Sequence, residues 1–199
     1  MPLRCIVLSS VAAFLVGAGS CAAAEQSVLA QLVGPLHRQG KSFGCYVKRY
    51  GAGYLAAHPG QRVTFVKALI AGYYRTDVAG RNGAYEYQVS LAFRFRDRPE
   101  TLSTVAECGE GQRTDPARSG IVCAGPGEKS YLTVRGRNLS IVMPGGADLW
   151  MPGPVDQRHE VVKNPFGSKD EAFHLSLGRL KPCEDLAFDD WKPLRPYRR

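Results

Sequence analysis

The sequence predicts a mostly β protein, an antiparallel β-barrel or β-sandwich with one short N-terminal helix and two disulfides. Three observations carry that expectation. Bulky residues alternate with small or polar ones over long runs, Gly and Pro interrupt the chain at short intervals, and four cysteines remain once an N-terminal export segment is set aside. Successive side chains of a strand point to opposite faces, so a period of two sorts residues into an inside and an outside set.

The first element is the export segment. Arg4, the apolar run Cys5 to Gly17 and the small residues Ala22-Ala23-Ala24 have the pattern of a signal peptide over residues 1–24, with Glu25 as the mature N-terminus. The alternative is a lipoprotein box, Ala18-Gly19-Ser20-Cys21 with Cys21 acylated, although Ala18 stands where such boxes usually carry Leu. Either reading sends the chain to the periplasm or beyond. The run is shorter than a membrane span requires.

Loss of residues 1–24 removes Arg4, so the formal charge falls from +8 to +7. Cys5 and Cys21 leave with it, and Cys45, Cys108, Cys123 and Cys183 remain. An even number in an oxidising compartment reads as two disulfides, with three connectivities open. Pairing in order would close two loops of about 60 residues, each worth about 4 kcal/mol, against about 3 for a short Cys108–Cys123 bridge. No C-x-x-C or His spacing suggests zinc.

A helix is expected from Ser27 to His37, where Val28, Leu29, Leu32, Val33 and Leu36 recur at helical spacing. Strands follow at Ser42 to Tyr50 and Arg62 to Ala71. Tyr85, Tyr87, Val89, Leu91, Phe93 and Phe95 then alternate strictly, after a turn signal at Asn82-Gly83. This strand is expected to pair with the one before it. Further strands are read at Thr101 to Cys108, Ile121 to Ala124, Ser130 to Arg135, Asn138 to Met143 and Glu171 to Leu180, with a tight turn at Gly136-Arg137. Short strands at such spacing favour antiparallel neighbours in a barrel or sandwich.

The 199 residues fit a signal peptide, one β-rich domain over 25–190 and a basic tail over 191–199. Collagen-like, coiled-coil and wholly disordered classes are excluded by a composition that is 44% hydrophobic and 22% charged. A polytopic membrane protein is excluded because only the start of the chain is continuously apolar. Cys45 precedes Tyr54-Leu55 much as Cys123 precedes Tyr131-Leu132, which suggests two halves, 41–110 and 119–185. Any β chain with four cysteines yields a similar alignment.

Phe43-Gly44-Cys45-Tyr46, Arg49-Tyr50, Leu55, His58-Pro59 and Gln61 form a pattern, closed by Asp170-Glu171-Ala172-Phe173-His174-Leu175 and Cys183. The pattern is similar to one in small exported proteobacterial proteins of uncharacterised function. It covers about a quarter of the chain, and the resemblance implies export without transferring a catalytic residue.

Local signals for catalysis are lacking. His37, His58, His159 and His174 are isolated from one another, and His58 precedes Pro59-Gly60 in an expected turn. No G-x-S-x-G elbow, phosphate loop, dinucleotide fingerprint or calcium loop is present. Glu184-Asp185 and Asp189-Asp190 follow the last strand and read as solvated surface. No catalytic residue, metal ligand or cofactor is assigned.

The basic residues carry more. Arg94 and Arg96 are read as one outward strand face with Arg98 just beyond, a positive ladder with alternate residues roughly 6.6–6.8 Å apart. Lys192, Arg195, Arg198 and Arg199 add charge to the tail. The bland account is a solvated outer face and a loose terminus. The functional account is an exported, non-enzymatic cell-envelope protein that uses Arg94, Arg96 and Arg98 to bind an anionic envelope polymer, lipid headgroups or a protein partner. Nucleic acid is a poor partner for an exported chain. The alternatives are a calycin-like barrel carrying a small apolar ligand against Tyr85 to Phe95, and an envelope hydrolase whose site is assembled from distant residues.

Overall fold

The computed structural model describes residues 31–36, 40–76, 84–109, 121–125, 129–151 and 160–195. The expected signal peptide, the Asn82-Gly83 turn, His37, His159 and the last residues of the tail lie outside them. The strands are β1 (Lys41–Arg49), β2 (Val63–Arg75), β3 (Ala84–Phe95), β4 (Arg98–Gly109), β5 (Ile121–Cys123), β6 (Ser130–Arg135), β7 (Asn138–Val142), β8 (Leu149–Trp150), β9 (Val161–Val162) and β10 (Ala172–Leu177). They form one ten-stranded antiparallel sheet in the order β5-β6-β7-β10-β1-β2-β3-β4-β8-β9. Of the two expected architectures, the sheet is curled as a half-barrel. The curl brings β5 back to β4. Glu107 and Ala124 exchange backbone hydrogen bonds of 2.9 and 3.1 Å there, and Cys108 is bonded to Cys123 beside them.

The alternation read in β3 is the pattern that fills the interior. Tyr87, Val89, Leu91, Phe93 and Phe95 are all buried on the concave side. Phe93 meets the rings of Phe166 at 5.0 Å and Phe173 at 5.4 Å, so strands distant in sequence share one aromatic centre. Residues 31–33 are helical and belong to the expected N-terminal helix. Three alternate residues of β1 hold this segment: Ser42 Oγ donates to Pro35 O at 2.7 Å, and Tyr46 Oη donates to Leu32 O at 2.8 Å. Between them, a Cβ on Gly44 would lie 2.1 Å from Leu32 O, so only glycine lets the helix sit this close.

The convex side is not a simple polar face. Residues 181–186 form a 3-10 turn that packs over β2 and β3, residues 189–191 form another whose Trp191 lies on β1, and Gln88, Ser90 and Ala92 are buried on this side, which the alternation does not announce. This covering is bonded to the sheet by the Cys45–Cys183 disulfide. Lys67 strengthens the junction, since its Nζ donates to Pro182 O at 2.9 Å and to Asp185 Oδ2 at 2.6 Å. Asp185, expected as free surface, is therefore an ion-pair partner. The start of the expected tail is packed as well: Leu194 is buried and the Trp191 ring lies 5.8 Å from Phe43.

The disulfides are nested, Cys45 with Cys183 and Cys108 with Cys123. Both connect a residue of segment 41–110 to one of segment 119–185. Two such bonds are compatible with an oxidising compartment outside the cytoplasm.

Burial pushes the Tyr46 phenol up to about 12. Tyr50 also rises to about 12, through burial first and then the charges of Tyr54 and Asp170. An unfolded tyrosine titrates near 10, so in the interval the native chain keeps protons that the unfolded chain releases. This contribution is complete below about pH 10 and is lost as pH rises towards about 12. In a Tyr46→Phe/Tyr50→Phe variant, urea midpoints are expected to fall less steeply over that interval than in the parent chain. An identical slope would contradict the assignment.

Candidate functional site

The expected arginine ladder is taken apart by the β3–β4 turn. Arg94 is exposed on the convex side of β3, opposite Thr101, to whose Oγ1 its Nε donates at 3.2 Å. Arg96 lies in the two-residue turn, and its Nη2 donates to the carbonyls of Leu55 at 2.5 Å and His58 at 3.0 Å. Arg98 pairs with Phe95 and so shares the concave side, where its Nε is buried without a hydrogen-bond partner among the described residues. The register decides this, because residues directly opposite in an antiparallel pair point the same way. Arg94 and Arg98 stand on opposite sides of the sheet.

Residues missed in the sequence complete a different arrangement at the same end. Across the strands Arg49, Phe65 and Arg94 are aligned in register, and the two guanidinium carbons lie 5.1 and 5.8 Å from the centre of the Phe65 ring. Both arginines are exposed, and neither makes an ion pair among the described residues. A ring between two guanidiniums fixes both charges laterally while leaving their N–H groups to solvent or ligand.

Beside this row a short helix, α1 (Ala52–Ala57), connects β1 to β2 and buries none of its residues. What holds it is polar and aromatic. Arg96 donates to the carbonyls of Leu55 and of the C-cap His58, which also accept from the His58 and Gln61 backbone N–H groups. Tyr54 is 45% exposed, stacks on Tyr50 at 5.2 Å and on His58 at 4.0 Å, and Lys48 Nζ lies 5.5 Å from the Tyr50 ring. His58 Nδ1 is 2.7 Å from Tyr54 O. A carbonyl only accepts, so Nδ1 carries the proton and Nε2 remains for another partner.

A buried carboxylate keeps this end in shape. Asp170, only 1% exposed, accepts hydrogen bonds from Gln61 Nε2 at 2.5 Å and from the backbone N–H groups of Arg62 at 2.9 Å and Gly167 at 2.8 Å. It thereby joins the chain entering β2 to the loop before β10. Arg62 also pairs with Asp97 of the β3–β4 turn and holds that carboxyl below the usual carboxylate range, chiefly through the hydrogen bond.

Other polar groups offer less chemistry. Ser140 and His174 face each other across β7 and β10 at 2.8 Å on the exposed side, and His174 makes no bond to a carboxylate among the described residues. No cluster of three His, Cys, Asp or Glu residues suited to a metal occurs among the described residues. A cleft of about 310 Å³ is lined by Asn164, Phe166 and Glu171 among others, and not by Tyr85, Val89 or Phe93 of the expected ligand-lining row, although Phe166 packs on Phe93. Comparison of the chain with protein-family models, curated proteins and solved structures finds no match.

The signal for Arg49 was an outward residue at the end of a correctly read strand. Tyr54 and His58 sit in a stretch bounded by Gly51, Gly53 and Pro59-Gly60, which reads as a turn. Their meeting with Arg96 depends on a strand pairing that no local spacing encodes.

Proposed function

We propose that this chain is an exported, non-enzymatic cell-envelope protein that binds an anionic polymer at the basic end of its sheet. One observation carries the reading: Arg49 and Arg94 are held on either side of Phe65, exposed and free of acidic partners among the described residues. Guanidiniums already oriented lose less freedom when an anion arrives, and their planar donors suit carboxylate and phosphate oxygens. Lys48 and Arg96 extend the same field, while the nearby Asp97 is engaged by Arg62. The formal net charge, +8 for the full sequence and +7 once residues 1–24 with Arg4 are removed, adds a long-range attraction that salt weakens.

Supporting observations also bear on the alternatives. The row from Tyr87 to Phe95 is packed into a continuous apolar interior, which favours an external surface over an internal carrier cavity. Among the described residues, the cross-strand Ser140–His174 pair has no third group bonded to the histidine of the kind that orients a catalytic one.

The test is retention of the folded chain on an immobilised polyanion under a salt gradient. An Arg49→Gln/Arg94→Gln variant is expected to elute at clearly lower salt than the parent. An Arg179→Gln/Lys181→Gln variant, which loses the same charge elsewhere, is expected to elute close to the parent. Equal shifts for the two variants would reduce the effect to net charge and overturn the site.

A further inference from the structure

The rings of α1 go unused in a purely electrostatic reading, and they specify the polymer. Tyr50, Tyr54 and His58 form a stacked column that runs from the half-buried Tyr50 at the end of β1, through Tyr54 of α1, to the exposed His58 just after it. With no buried residue, α1 contributes little to the core, yet Arg96 and two ring stacks hold it in place. The column ends at His58, an exposed ring that among the described residues stacks on Tyr54 only. Its Nε2 is left as an acceptor in the neutral ring, because Nδ1 is bonded to Tyr54 O. The Arg96 guanidinium reaches the His58 carbonyl at 3.0 Å, so a fixed positive charge lies at the foot of the same ring.

This combination asks for three things along one ligand: an apolar ring face, a hydroxyl and a carboxylate. We propose that the basic end recognises an acidic polysaccharide, with one sugar ring stacked on His58 at the end of the column. A hydroxyl of the adjoining sugar, at the edge of the imidazole, donates to His58 Nε2, and the carboxylate of the stacked unit accepts from the N–H groups of Arg96 not engaged by the Leu55 and His58 carbonyls. Arg94 and Arg49 meet further carboxylates along the polymer. The inference rests on the anionic-polymer reading and adds the chemistry of the repeating unit. A polyanion without sugar rings satisfies the arginines and leaves the column idle.

The experiment compares two probes at equal ionic strength, polygalacturonate oligomers and poly-L-glutamate, binding to the whole folded chain. The parent is expected to prefer polygalacturonate. A Tyr54→Ala/His58→Ala variant is expected to lose roughly tenfold in affinity for polygalacturonate and to change less than about twofold for polyglutamate, the scale of a lost ring stack. Because α1 buries no residue, the variant is expected to keep the parent's unfolding midpoint, which is measured alongside. The Arg49→Gln/Arg94→Gln variant is expected to weaken both probes. If the ring variant binds polygalacturonate as the parent does, or loses both probes equally, the sugar inference is overturned while anion binding stands. If the parent binds neither probe, both readings fall.

Discussion

A Cys45→Ala/Cys183→Ala variant is expected to lose about 5 kcal/mol of stability. The two cysteines are 138 residues apart, and the constraint they place on the unfolded chain grows with the logarithm of that separation. Cys108 and Cys123 are 15 apart, so the corresponding variant is expected to lose about 3 kcal/mol. For a chain of this size, the difference of roughly 2 kcal/mol corresponds to several degrees in Tm. Calorimetry on both variants checks the order, and a larger loss from the short bridge would contradict it. The long bridge has a second consequence. Cys183 lies in the 3-10 turn that covers Leu69, so its loss is also expected to speed proteolysis of residues 180–195 before the sheet itself opens.

Asp170→Ala is expected to cost roughly 3–5 kcal/mol, because several buried neutral donors lose their shared acceptor at about 1–3 kcal/mol each. The carboxylate gathers donors from Gln61, Arg62, Val63 and Gly167, and alanine leaves them facing a buried gap. Asp170→Asn is expected to lose less, since its amide oxygen still accepts while its NH₂ meets donors. Urea unfolding of the three chains tests this ranking. A loss below about 1 kcal/mol for alanine would show that water replaces the carboxylate without difficulty. Polyanion affinity is expected to fall with Asp170→Ala as well, because the segments carrying His58 and Phe65 flank the residues that Asp170 secures.

How much of this was legible follows from the range of each interaction. β3 was legible almost to the residue, because Tyr85 to Phe95 alternate and one face is buried along the strand's length. β2 was read to Ala71 but runs to Arg75: its last residues, Gly72 to Arg75, pair with Tyr87 to Ala84, a match made across strands. β8 and β9 were not foreseen. Two-residue strands have no period, and Leu149–Trp150 and Val161–Val162 exist only through their pairing. Helix α1 was hidden by its glycines, and its stability comes from Arg96, nearly forty positions away.

The candidate site divides in the same way. Arg94 was visible as an outward strand residue, and its exposure on the convex side agrees with that reading. Arg98 was placed with it by counting along one strand, but the chain reverses at residues 96 and 97, and pairing with Phe95 puts Arg98 on the concave side. Arg49 and Phe65 became partners of Arg94 only through register.

Hydrophobic alternation and turn chemistry act between near neighbours, and so the sequence by itself determined that this chain is a β protein with a buried row along β3 and cysteines set for two bridges. The nested pairing of those cysteines, the covering of the convex side by residues 180–195 and the assembly of Arg49, Phe65, Arg94, Arg96 and His58 at one end were decided by the tertiary structure. Each requires residues brought together by sheet register and curl, quantities set by the total burial of the folded chain and not by any single segment of it.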